Sequence, residues 1–153
     1  MNIKSLFIAI FVFVVIAFVG LVFKNLSNLR QGKPILFNTE VKVGNVLFMA
    51  GVATTNEEIM RGLSGTKALK ENQAMLFVFD REDKWGIWMK DMNFSIDIVW
   101  INKDRKVSHI REEISPDTYP QIFYPPDMVL YVLELPSGAV ERAGIKIGDL
   151  LLY

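Results

Sequence analysis

The chain has 153 residues, with 17 Lys/Arg against 17 Asp/Glu for a formal net charge of +0, one His and no Cys. That length holds one domain and little more, and the missing cysteine and single histidine exclude thiol catalysis and zinc sites of the usual nitrogen and sulfur kind. The neutral total hides an asymmetry. Lys4, Lys24, Arg30 and Lys33 precede residue 39 while every acid follows it, so 13 Lys/Arg against 17 Asp/Glu leave the remainder at −4. Such a domain lacks the basic footprint that phosphate binding needs, which excludes a nucleic-acid partner. The basic residues near the N-terminus suit lipid head groups instead.

Leu6 to Phe23, LFIAIFVFVVIAFVGLVF, carries no charge and no strongly polar side chain. As a helix it would run roughly 27 Å, the thickness of a bilayer core, and it is apolar on every face, unlike a helix on the surface of a soluble domain. Ala17 and Gly20 do not make an A-x-A cleavage pattern, because Phe18 and Val19 stand between them. Residues 1–24 are therefore expected to be a retained transmembrane anchor, contacting the membrane through residues 6–23. A Lys/Arg count favours a cytoplasmic C-terminal side. The short tail before the segment and the folded domain after it match a signal anchor, and the expectation is a single-pass protein with an extracytoplasmic domain. Residues 25–38 read as a polar linker, and residues 39–153 as the domain.

In that domain VKVGNVLF places Gly44-Asn45 between two apolar runs, the signature of a two-residue hairpin turn; the second arm reaches about Ala53. Thr55 and Glu58 form a capping box in TTNEEIMRGLSG, predicting a short helix from Asn56 to Arg61 that Gly62 ends in the left-handed conformation. Ala74 to Phe79, AMLFVF, reads as a central strand, DREDK as a charged turn and WGIWM as the return strand. IDIVWI and KVSHIREEI follow as partners about the turn NKDR. SPDTYPQIFYPPD, with four prolines, reads as a surface loop. MVLYVLELP is the last long strand, Ser137 caps a short helix over GAVERA, Gly144 ends it, and LLLY closes the chain. The expected fold is mainly β: a compact antiparallel β-sandwich or small barrel of about eight strands with two short helices, preceded by one transmembrane helix.

The chemistry must come from charges in apolar settings. Alternation puts Asp97 on a strand face with Val99 and Ile101, and Glu134 with Leu130 and Val132. A buried carboxylate needs a cation or donors, or else it protonates. Arg61 and Lys90, the latter alternating onto the same side as Trp88, are the candidate partners. Two readings stay open: an ionic clasp that fixes strand order, or a pocket with polar groups converging under an aromatic wall. His109 in KVSHIRE reads as an exposed strand histidine, with no nucleophile elbow and no phosphate-binding glycine loop elsewhere. Met89, Met92 and Met128 read as core filler, not metal ligands. No metal, cofactor or catalytic residue is assigned.

MRGLSG, AMLFVF, IWMKDM…SIDIVWI, YVLELPSG and AGIKIGD, in that order over Val41 to Tyr153, resemble the family named domain of unknown function 192. Arg61, Trp88, Lys90, Asp97 and Glu134 match the family's pattern. The chain departs from it at Ser64, where the family has Met, at Ala74 for Gly, and at Asp91-Met92 for Asn-Thr. The resemblance implies a compact β-rich domain, often exported or membrane-tethered in prokaryotes, and implies no activity. Three functions are then weighed. The leading one is a membrane-anchored extracytoplasmic domain binding a small polar or carbohydrate-like ligand, or a peptide, through Arg61, Trp88, Lys90, Asp97 and Glu134. The alternatives are a hydrolase using Asp97 and Glu134 as an acid–base pair, and an envelope interaction module acting through the proline-aromatic loop.

Overall fold

The structure is a computed structural model that describes residues 3–30 and 34–153, with the side chains of 3–9 and 25–30 left outside the description. It divides into two compact units, Met1–Pro34 and Ile35–Tyr153.

The first unit is one helix, α1, Ile3–Arg30. It runs past the predicted linker boundary at residue 25, where the sequence has no glycine or proline from Leu21 to Gln31. Large apolar side chains are exposed at nearly every position from Ile10 to Phe23, hence on all sides of the helix. Among the described residues no helix is long and apolar enough to cross a membrane. Residues 6–9 of the predicted span lie outside the described side chains, and the stretch from Ile10 to Phe23 alone is shorter than the roughly 20 residues a span requires.

The second unit is mainly β. The hairpin strands β1 (Thr39–Val43) and β2 (Val46–Ala53) lead into α2 (Asn56–Arg61), then β3 (Gln73–Asp83), β4 (Ile87–Trp88), β5 (Ile96–Ile101) and β6 (Val107–Ile114). A 3-10 turn at Pro116–Thr118, β7 (Ile122–Phe123), β8 (Val129–Pro136), α3 (Ala139–Ala143) and β9 (Leu151–Leu152) complete it. Seven strands form one curled sheet in the order β6-β5-β8-β3-β2-β1-β9, and β4 pairs with β7 in a separate two-stranded ribbon. The chain near β9 returns to the start of β6: Lys106 bridges Leu150, the Val107 amide donates to the Asp149 carbonyl at 2.9 Å, and Leu151 donates to Arg105 at 2.8 Å. The sheet is thus a half-barrel whose two edges meet at one end.

Of the two expected architectures, sandwich or small barrel, the half-barrel is nearer the second and replaces the first. A sandwich needs two sheets, and apolar runs count strands without saying which neighbours they take. Nor is the sheet wholly antiparallel: β2 and β3 pair in parallel, Met49 opposite Gln73 through Ala53 opposite Phe77. The crossover between them carries α2, which is the connection a parallel pair requires. The predicted charged turn at DREDK is instead the end of β3, with a register shift against β8 between Val78 and Asp83. WGIWM does not return beside β3; Ile87 and Trp88 pair with Phe123 and Ile122.

Both faces of the sheet are covered, which gives two cores. On one face Val41, Phe48, Leu76, Val99, Leu133 and Leu135 pack with Val140 of α3 and Ile145. On the other, Met75, Phe77, Ile98, Trp100 and Val132 pack with Leu63, Ile87 and Met89. All six residues of β5 are buried, as a strand covered on both sides must be.

Candidate functional site

Register decides where the two strand carboxylates go. β5 and β8 pair with Asp97 opposite Leu135 and Ile98 opposite Glu134. Opposed residues share a face and successive residues alternate, so Asp97 and Glu134 project to opposite faces of the sheet. They are not a catalytic pair, and the carboxylate-pair hydrolase is not carried further.

Asp97 is fully buried, and its oxygens are occupied by backbone amides. Oδ1 accepts from Glu113 at 2.9 Å and from Gly138 at 3.1 Å, and Oδ2 accepts from Val140 at 2.9 Å. It therefore caps α3 from a neighbouring strand while holding the end of β6. The predicted cap by Ser137 does not form; Gly138, which has no side chain to cap with, is the N-cap residue, and Asp97 accepts from the Gly138 and Val140 amides instead.

Glu134 has the opposite surroundings. Its cross-strand neighbours are Met75 of β3 and Ile98 of β5. It is 5% exposed, and its Oε2 is buried with no hydrogen-bond partner. Burial alone pushes its carboxyl up to about 8, with no neighbouring charge contributing, so at neutral pH the group is mainly the protonated acid.

Glu134 lines a cavity of about 270 Å³. Its walls come from α2 and the turn after it (Ile59, Met60, Arg61, Leu63), from β3 (Phe77, Phe79), from Trp85 to Trp88, from Met92, and from Ile122 and Tyr124. Each wall has a local cause. The capping box forms as expected: the Glu58 amide donates to Thr55 Oγ1 at 3.3 Å, and the Glu58 carboxylate accepts from the Thr54 and Thr55 amides, which hold it below the usual carboxylate range. Gly62 ends the helix at φ 48, ψ −130, outside the expected left-handed well. That conformation and the approach of the Phe77 ring, 3.1 Å from where a Cβ would stand, leave room only for glycine. At Gly86 the demand is for space alone: a Cβ would meet Tyr124 at 2.5 Å and Ile122 at 2.6 Å. Without a side chain there, the β7 segment closes over β4 and forms one wall.

The segment after β4 is tied to the turn after α2. Ser64 Oγ donates to the Lys90 carbonyl at 2.9 Å, the Gly65 amide to the Asp91 carbonyl at 2.9 Å, and Asn93 Nδ2 to the Thr66 carbonyl at 2.9 Å. Asp91 has φ 55, a left-handed conformation that Asp tolerates as Asn does. The next residue, Met92, is a cavity wall, so the departure from Asn-Thr makes this chain's pocket more apolar.

Of the five residues singled out in the sequence, Arg61, Trp88 and Glu134 line the cavity, while Lys90 and Asp97 do not. Lys90 Nζ sits 5.7 Å from the Trp88 ring centroid, covering one face of the indole, and Tyr119 meets that ring edge-on at 6.1 Å. Trp85 stacks on Phe79 at 4.1 Å, with Arg81 5.5 Å from its centroid. His109 is half-buried against Trp100, 5.5 Å between centroids; burial and then Arg111 lower its pKa, against an opposing pull from Asp127. Among the described residues no group of His, Asp and Glu is placed to hold a metal. The sequence reading missed Phe77, Phe79, Trp85, Ile122 and Tyr124 as walls. The first two read as core of a central strand, and the last two as surface loop, and no local signal says that they meet.

Fold and site together define a small half-barrel domain with an aromatic cavity on one face of its sheet. The chain belongs to the domain of unknown function 192 family, described as "Uncharacterized ACR", whose model matches residues 38–153. Two solved structures are similar to it. A protein of unknown function from Novosphingobium aromaticivorans is 27% identical with a TM-score of 0.72, covering 75% of this chain and 84% of that one. A putative transcription regulator from Sinorhizobium meliloti is 25% identical, also at TM-score 0.72, covering 78% of this chain and 97% of that one. No curated protein matches.

Proposed function

We propose that the chain is a membrane-anchored, extracytoplasmic binding domain that takes a small ligand, or a peptide side chain, into the cavity beside Glu134. One observation carries this reading: an open, aromatic-lined cavity of about 270 Å³ with a buried carboxyl whose Oε2 has no partner. A cavity of ~150 Å³ already holds benzene, so a ring with a short substituent fits. Pockets that bind organic ligands pair apolar walls with a few convergent polar groups, here Arg61 and Glu134. So few polar groups favour a ligand with an apolar body over a sugar bearing many hydroxyls. The regulator described for the Sinorhizobium protein is not carried over, since a domain at −4 repels nucleic acid.

The anchor is supported by α1, whose apolar side chains from Ile10 to Phe23 are exposed on all sides and have no core of their own to enter. Resistance of the full chain to alkaline extraction from membranes, with the domain degraded by external protease, is the expected outcome; release into the alkaline supernatant would remove the anchor from the proposal. For the cavity, the test is Trp88→Ala. Trp88 is 36% exposed, so its loss should remove ligand binding while the melting temperature stays within a few degrees. An equal collapse of stability would mean that the indole serves the fold instead.

Exposed Tyr119, Ile122, Tyr124 and Met128 surround the β7 wall of the same cavity. That patch favours a protein segment as the second reading, with the proline-aromatic loop as the contact surface.

A further inference from the structure

We infer that the cavity recognises an organic ammonium group, a primary amine on a slim aryl or alkyl stem, with the nitrogen against the carboxyl of Glu134 and the stem among Phe77, Phe79, Trp88 and Tyr124. The inference rests on the reading of this cavity as a binding site and names its ligand chemistry.

Glu134, a residue 95% buried, lines the cavity, and the chain leaves one oxygen of its carboxyl, Oε2, without a hydrogen-bond partner. The groups packed around it supply nothing. β3 and β5 present Met75 and Ile98 directly across from Glu134. The titratable or charged groups that share the cavity lining with Glu134 are Arg61 of α2 and Tyr124 beyond β7, and neither donates to Oε2. Lys90, at the end of the clamped segment, is held over Trp88. Aromatic faces attract cations, most strongly when desolvated. The rim already shows it, with the chain's own Lys90 over Trp88 and Arg81 over Trp85. A buried carboxyl beneath aromatic rings, in a domain at −4, is complementary to a positive charge delivered on an apolar stem.

The protonation balance is explicit. Free Glu134 is mainly protonated at neutral pH, its carboxyl pushed up to about 8. An alkylammonium is charged throughout pH 6–8. Binding forms an ammonium–carboxylate pair, and the carboxyl proton leaves to solvent. Apparent affinity must then rise about tenfold per pH unit below 8 and level off above it. A neutral hydrogen-bonding ligand, which uses the protonated acid, gives the opposite sign: flat to 8, then falling.

The experiment uses the full chain in phosphatidylcholine nanodiscs, with empty nanodiscs as reference. Phenethylamine, phenethyl alcohol and a lysine amide acetylated at its α-nitrogen are titrated while tryptophan fluorescence is followed at pH 6, 7 and 8. The expected result is that phenethylamine binds about tenfold more tightly than the alcohol at pH 8, with an affinity that climbs from pH 6 to 8. Glu134→Gln should erase both the preference and the climb, leaving the alcohol's affinity within about twofold. Binding of the lysine amide with the same pH slope assigns the ammonium to a peptide side chain; binding of phenethylamine alone assigns it to a free amine. An alcohol that binds as well as the amine, or an amine affinity flat or falling over pH 6–8, overturns the ammonium while leaving the binding site standing. The same climb in Glu134→Gln also overturns it, since another group would then be titrating. No binding by any probe overturns both. Should Glu134→Gln fail to fold, the slope and the amine-to-alcohol ratio in the unmodified chain decide the matter.

Discussion

Asp97 and Glu134 are two buried carboxyls on adjacent strands, one residue apart in register, and the two faces of the sheet treat them in opposite ways. Asp97 meets three backbone amides, from Glu113, Gly138 and Val140, and works as a clasp between β5, β6 and α3. Glu134 meets Met75, Ile98 and a cavity, with one oxygen unpaired. A chain that only needed to bury a side chain at Glu134 would do better with an apolar one, since an unpartnered buried polar atom costs stability. Retaining it beside open space is the mark of a site, where strain and unsatisfied groups collect.

The sharpest way to break the comparison is Asp97→Ala. It strands three backbone amides, that of Val140 buried and those of Glu113 and Gly138 part-buried, at up to about 1–3 kcal/mol each. Chemical denaturation should therefore show a loss of about 2–4 kcal/mol. Asp97→Asn keeps one acceptor oxygen and should lose less. A loss under about 1 kcal/mol for the alanine variant would contradict the clasp.

Glu134 should show its difference through pH. Its folded pKa of about 8 lies above the ordinary carboxylate value, so between the two the folded state holds a proton that the unfolded state has released. Stability from this group is therefore complete at acid pH, declines as pH rises from about 4.5 to 8, and is constant beyond. The span amounts to a few kcal/mol at most, at about 1.4 kcal/mol per unit. Unfolding free energies of the unmodified chain and Glu134→Gln should converge towards pH 4 and diverge towards pH 8, with the variant the more stable. Parallel pH curves would place the carboxyl in water.

Smaller effects probe the walls. Gly86→Ala puts a Cβ within 2.6 Å of Ile122 and Tyr124 and should cost about 1–3 kcal/mol, the usual range for overpacking. Its distinctive readout is a changed fluorescence of Trp85 and Trp88 as the β7 wall lifts. Smallest of all is the effect of Trp88→Ala on stability, expected below about 1 kcal/mol for a side chain exposed on the rim.

Much of the local structure was legible. The Gly44-Asn45 turn, the Thr55/Glu58 box, the helix at Asn56–Arg61, the six-residue strand at Ile96 and the stop at Gly144 all follow from spacing within a few residues. These features depend on a backbone's nearest hydrogen-bond partners, and short-range chemistry is written in short stretches. Strand partnership was not legible, and with it went the sandwich. Whether β3 lies parallel to β2 or returns beside WGIWM depends on which distant run covers which face.

The candidate site divides along the same line. The sequence by itself determined that Asp97 and Glu134 would be buried. Alternation along a single strand is enough for that, because its period belongs to the backbone. The expected partner came only to Asp97, and Lys90 lies in the turn beyond the two-residue β4 that holds Trp88. Only the tertiary structure decided that the two acids face apart, that amides 16 to 43 residues away satisfy one of them, and that rings from three separate segments wall in the other. Those outcomes rest on the β5–β8 register, and a shift of one residue would have put both acids on the same face.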